Sequence, residues 1–140
     1  MKDTNLETII DAHKVAVRFG VEGGIVEAVR DVSFKVARGQ TIALVGESGS
    51  GKSVTARAIM RILPKIAQIS AGRIDLARAG GEVVDMAAID AAGPLARQIR
   101  GNDVAMIFQE PMSSLSAFHT IGSQITEGVR LHRHCDKREA

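Results

Sequence analysis

Gly46-Glu47-Ser48-Gly49-Ser50-Gly51-Lys52-Ser53 fits the pattern G-x-x-x-x-G-K-[ST], a loop whose backbone amides wrap a polyphosphate. The flanks decide whether the match has meaning. Ahead of it lies Thr41-Ile42-Ala43-Leu44-Val45, apolar and β-forming; the pattern predicts a parallel strand covered on both faces. Behind it, Val54, Ala58, Ile59 and Ile62 recur at helical spacing, which predicts a helix from Lys52 to Leu63 stopped by Pro64. Strand, glycine loop and helix in that order are what the chemistry requires. Gly is 14 of 140 residues, so a chance match is the competing reading, and these flanks argue against it.

The residue types explain the chemistry. Gly46, Gly49 and Gly51 reach backbone angles closed to other residues and leave room for an anion. Successive N–H groups, Glu47, Ser48 and Ser50 included, then converge in one concavity, reinforced by the partial positive charge of the helix N-terminus. Lys52 adds a mobile ammonium group, and the Ser53 hydroxyl suits Mg²⁺, which keeps several waters and bridges phosphate oxygens.

Composition narrows the remaining classes. The apolar fraction of 45% suits a folded domain. The formal charge is +2, from 18 basic and 16 acidic residues, and the aromatics are four Phe with no Trp or Tyr. That balance gives no electrostatic footprint for nucleic acid and few bases could stack on it, so no nucleic-acid partner is expected. Cys135 is the only cysteine, which rules out an internal disulfide. No apolar run approaches the roughly 18 residues of a membrane span, and Met1–Asn5 lacks the order of a secretory signal. A soluble intracellular chain with no direct membrane insertion is the expectation.

Elsewhere the pattern predicts extended segments over 7–19 and from Ile25 to Val36, a turn at Arg38-Gly39, and a hairpin of Arg73–Leu76 with Glu82–Met86 around Ala79-Gly80-Gly81. A short helix within 87–100, interrupted at Gly93-Pro94, a buried strand over Asp103–Phe108 ended by Pro111, and a helix over 120–133 complete the expectations. His132-Arg133-His134-Cys135 reads as a solvated helix end rather than a metal site, and Arg130, Arg133, Lys137 and Arg138 as a solvated basic face.

Two further segments carry a family resemblance. Gly46–Val54 resembles the phosphate loop (Walker A) of ABC-transporter ATPase subunits. Val104-Ala105-Met106-Ile107-Phe108-Gln109-Glu110-Pro111-Met112-Ser113-Ser114-Leu115 resembles their Q-loop, in the form of the peptide/nickel importer branch. Thr120-Ile121-Gly122-Ser123-Gln124-Ile125 and Ala28-Val29-Arg30-Asp31-Val32-Ser33-Phe34 fit the same branch, so the resemblance runs from about residue 8 to 133.

The resemblance implies an α/β fold: a P-loop NTPase core of the ABC ATPase type with an N-terminal antiparallel β subdomain, over about 7–110, and the start of a helical subdomain over 111–140. It implies ATP and Mg²⁺ as ligands, with Gly46, Glu47, Ser48, Gly49, Ser50, Gly51, Lys52, Ser53 and Val54 binding nucleotide, Ser53 and Gln109 at the metal, and Lys52 and Gln109 acting in catalysis. Phe19 is the candidate for stacking on adenine, with a core role as its alternative. Val54 stands where relatives often carry Thr, and Ala117 where they often carry Pro. The implied partners are transmembrane permease subunits and a second ATP-binding subunit, at the cytoplasmic face of the inner membrane. The 140 residues contain no Leu-Ser-Gly-Gly-Gln signature, no strand ending in Asp-Glu (Walker B) and no switch histidine; the expectation is an N-terminal portion truncated before those motifs, unable to hydrolyse ATP alone and poorly stable in isolation. A non-hydrolysing remnant and another P-loop NTPase are the competing readings, though no guanine-reading Asn-Lys-x-Asp is present.

Overall fold

A computed structural model describes residues 7–110, 114–133, 135, 136 and 138–140. Pro111, Met112 and Ser113 of the Q-loop resemblance, and His134 and Lys137 of the C-terminal cluster, lie outside the described residues. The chain divides into two compact units, Met1–Arg97 and Gln98–Ala140.

The first unit is built on an antiparallel sheet. Its strands are β1 (Thr8–Val21), β2 (Gly24–Ala37), β3 (Ala67–Ala77) and β4 (Val83–Asp85), in the spatial order β2-β1-β3-β4. The helix α1 (Lys52–Ile59) lies against β1 and β2. Ala12, Val15 and Val17 of β1, Val29 of β2, Ile74 and Leu76 of β3 and Ala58 of α1 are buried. The alternation of apolar and polar residues along β1 is what commits one face to this core.

A bulge crosses the sheet at Lys14. The pairing of β1 slips between Ala12 and Val15, and Lys14 takes a left-handed φ of 49°. Its N–H, displaced from the ladder, donates to the Ser33 hydroxyl at 2.8 Å. On the other side Gly72 (φ 88°) lies against the Lys14 carbonyl so closely that any Cβ there would collide with it. Bulges leave one residue unpaired and bend the strand, and here a serine and a glycine on the two neighbouring strands accommodate it.

One rung of the sheet is strongly charged. Asp11, Asp75 and Asp85 are successive register partners across β1, β3 and β4, with Lys35 opposite Asp11 on β2. Like charges facing each other across strands destabilise a sheet. Lys35 reaches Asp11 at 2.7 Å and Arg73 reaches Asp75 at 2.6 Å. The hydrogen bond to Asp75 and its charge raise the Arg73 pKa further above its ordinary value, desolvation offsetting a part. Asp85 is occupied locally: its carboxylate accepts the N–H groups of Ile74 at 3.2 Å and Ala87 at 2.9 Å.

The second unit contains α3 (Ile121–Arg133); the division between units falls within α2 (Pro94–Ile99). Thr120 caps α3, its hydroxyl accepting the Ser123 N–H at 3.2 Å. The Gln124 side chain ties the preceding loop to the helix, accepting from Ser116 N–H at 2.8 Å and donating to the carbonyls of Ser116 and His119 at 3.0 and 2.9 Å. No residue of α3 is buried, and Ile121, Ile125 and Leu131 are exposed.

Several expectations need correction. Thr41–Val45 forms no strand among the described residues and is exposed throughout, Val45 to 93%. Asp103–Phe108 forms none either; Val104 makes a single bridge to Arg100, and Ile107 is 92% exposed. A parallel strand is held by neighbours on both sides, and neither segment has such neighbours here. The expected α/β core is therefore represented by α1 and its loop, while every ladder pairing described is antiparallel. The helix after the loop is also shorter than expected: it ends at Ile59, and Arg61 turns left-handed at φ 55° before Pro64 is reached. Finally, β3 begins at Ala67, six residues ahead of the predicted Arg73.

Candidate phosphate-binding site

The loop 46–51 is a tight curl that ends in the first turn of α1. Gly49 and Gly51 both take left-handed angles, φ 82° and 88°. Gly51 occupies the N-cap position with no side-chain cap, and the first turn of α1 carries no acidic residue. The orphan N–H groups of a helix start, with their share of the helix dipole, are thus left facing a loop without a competing carboxylate at the helix entrance. Space is short at two further points. A Cβ on Gly46 would come within 2.7 Å of the Ser50 Oγ, and one on Gly51 within 2.6 Å of the Ala28 carbonyl oxygen and 3.3 Å of Val29 Cγ2. The second contact sets the loop against β2.

Lys52 folds back over this curl. Its Nζ donates to the Gly46 carbonyl at 2.7 Å, the Glu47 carbonyl at 2.6 Å and the Ser50 hydroxyl at 3.2 Å. The ammonium group is therefore held at the rim by neutral oxygens, with no carboxylate among these partners. A Ser50 N–H to Glu47 carbonyl bond at 3.3 Å closes the turn through Ser48 and Gly49. Ser53 is exposed on the first turn of α1, and Val54 behind it is half-buried.

Thr55 is the residue that the motif does not name. It is 5% exposed, and both its N–H (2.8 Å) and its hydroxyl (3.0 Å) donate to the Gly51 carbonyl. Its spacing, four residues after the last glycine, is the signal that would have found it, since Ser and Thr hydroxyls in helices reach back four residues.

The other two predicted site residues are placed differently. Phe19 is half-buried in β1, register partner of Val26 on β2 and Ala67 on β3. Val17, two residues before it, is paired with Val29, whose side chain bounds Gly51. Gln109 belongs to the second unit, exposed and in a bend after Phe108.

The donor set fits a Mg-polyphosphate. It comprises glycine-shaped backbone, one ammonium group on neutral partners and one exposed hydroxyl a residue later. No helix among the described residues is long and apolar enough to cross a membrane.

Comparison with known proteins gives the same direction. A family model described as ABC transporter matches residues 29–139. The chain is 49% identical over 135 residues to the "Putative peptide import ATP-binding protein" of Brucella abortus, an alignment taking in 96% of this chain and 39% of that protein. It is 43% identical over 133 residues to the "Glutathione import ATP-binding protein" of Salmonella choleraesuis, with 94% of this chain and 21% of that protein covered. The chain spans 39% or less of the length of these curated relatives.

Proposed function

Because the chain belongs to the ABC transporter family, we propose that it binds MgATP at 46–54 as the nucleotide-holding part of an importer's ATP-binding subunit. The observation that carries this reading is Lys52, seated on the Gly46 and Glu47 carbonyls beside an uncapped helix start. A neutral carbonyl offers the ammonium group only a dipole, whereas a phosphate oxygen adds the attraction of an opposite charge. Phosphate oxygens would replace these partners, amides of the loop and helix start would converge on the same anion, and the Ser53 hydroxyl would hold the metal. Bound there, Mg²⁺ would supply charge neutralisation to the phosphates.

Phe19 offers its ring to adenine. The support is positional: it lies two residues, about 7 Å at a strand's rise, beyond the Val17–Val29 pair that borders Gly51. Gln109 senses the metal or the attacking water, since an amide both donates and accepts. Residues 111–140 begin the helical subdomain; the exposed apolar side chains of α3 suit a permease-facing surface. A second ATP-binding subunit completes the site. The whole subunit works at the cytoplasmic face of the inner membrane, and peptides or similar solutes are the cargo, as the relatives' names suggest. Turnover requires the acidic strand end and signature motif that these 140 residues do not contain, so the chain by itself binds ATP without hydrolysing it at a useful rate.

The direct test is calorimetric titration of the chain and of Lys52→Ala with MgATP. Binding by the first and its loss in the second is the expected result. Equal binding by both removes the phosphate-loop reading.

A further inference from the structure

We propose that Thr55 is a positioning residue for nucleotide binding, acting through the peptide between Gly51 and Lys52. The inference rests on the reading of 46–53 as a phosphate loop.

A peptide unit is planar and trans, so the Gly51 C=O and the Lys52 N–H point in opposite directions. Whatever fixes the carbonyl fixes the amide. The Gly51 carbonyl accepts two donors from one residue, the Thr55 N–H at 2.8 Å and the Thr55 hydroxyl at 3.0 Å. The Lys52 N–H is one of the helix-start donors with no intrahelical acceptor, and the geometry aims it back into the loop. The restraint matters at this residue in particular. Gly51 has no side chain, takes a left-handed φ of 88° and has no side-chain cap, so its own torsions hold the peptide weakly.

The second bond also acts electronically. Hydrogen bonds in chains polarise one another. A carbonyl with two donors makes the amide on the other side of the same peptide a better donor, here to a phosphate oxygen. A generic helical residue at position 55 supplies the N–H bond alone. Thr55 is buried and Gly51 half-buried, so the bond between them is partly sheltered from water.

A purely structural role makes a different prediction. Back-bonding hydroxyls contribute little to helix stability and slightly disfavour the helix, so replacing Thr55 by its isostere valine keeps the fold and removes only the second bond. The experiment measures MgATP affinity and thermal midpoint for the wild-type chain, Thr55→Val and Thr55→Ser, with Lys52→Ala as the control. The expected result is an affinity weakened about three- to tenfold in Thr55→Val, the range of one lost hydrogen bond, with an unchanged midpoint. Thr55→Ser restores the affinity. The Lys52 amide proton resonance shifts upfield in nucleotide-free Thr55→Val, as a less polarised donor should, and returns in Thr55→Ser.

Unchanged affinity in Thr55→Val, while Lys52→Ala abolishes binding, overturns the proposal. So does a loss that serine fails to restore, which assigns the effect to packing. If valine prevents folding, Thr55→Ala is read by the same criteria. Binding that survives Lys52→Ala overturns the phosphate-loop reading, and the role of Thr55 falls with it.

Discussion

Gly51 has no room for a side chain: a Cβ there would stand 2.6 Å from the carbonyl oxygen of Ala28. The last glycine of the loop is thus held against β2, and the first turn of α1 takes its position from the sheet. A phosphate loop is usually introduced by the strand before it. In this chain that segment, Thr41–Val45, is unpaired among the described residues, and the Ala28–Gly51 approach is the packing contact that locates the loop.

Gly51→Ala tests this contact. The variant must accept a left-handed alanine, which costs about 1–2 kcal/mol, and displace a backbone carbonyl, for about 1–3 kcal/mol more. Denaturant titration is expected to show a combined loss of about 2–5 kcal/mol, together with loss of MgATP binding. Stability within about 0.5 kcal/mol of wild type would mean the loop does not lean on β2.

Asp85 supports β3 and β4 through backbone bonds. Asp85→Ala orphans the N–H groups of Ile74 and Ala87 and is expected to destabilise by about 1–3 kcal/mol. Asp85→Asn keeps an acceptor oxygen and should lose less than half as much. Equal losses in the two variants would assign the effect to charge rather than to the bonds.

Phe19 separates two roles by the nucleotide's base. If it stacks on adenine, Phe19→Leu keeps the apolar volume and weakens MgATP binding, by about 1–3 kcal/mol for a lost aromatic–base stack, while inorganic triphosphate binds as before. Equal weakening for both ligands, or for neither, leaves Phe19 as a core residue of β1.

Val45, Ile107 and Phe118 are 93, 92 and 94% exposed. Such surfaces, with unpaired backbone beside two of them, favour association. Purified chain is expected to self-associate, with light scattering rising with concentration and falling in Val45→Lys. A chain that stays monomeric across that concentration range would contradict this.

The legible parts of the fold were those with their own punctuation. β1 and β2 alternate and are separated by a turn at Glu22-Gly23; the β3–β4 hairpin turns on Gly80-Gly81; α3 shows helical spacing. The start of β3 escaped because Ala67-Gln68-Ile69-Ser70-Ala71-Gly72 has little apolar contrast, and its pairing with β1 comes from the sheet. Apolarity alone predicts buried strands at Thr41–Val45 and Asp103–Phe108, yet burial is conferred by neighbours that a single segment cannot specify. For the proposed site, the motif names Gly46 to Ser53 and nothing further. Thr55 and Ala28 were invisible to it, because one acts through a carbonyl and the other through a distance of closest approach.

The central claim is that the amides of 46–53 close on a polyphosphate. Titrating ¹⁵N-labelled chain with MgATP, while following backbone amide resonances, tests it most directly. The account predicts the largest shifts at Gly49, Gly51 and Lys52, saturating together and absent in Lys52→Ala. Shifts scattered elsewhere, or none at these amides at saturating nucleotide, would contradict it.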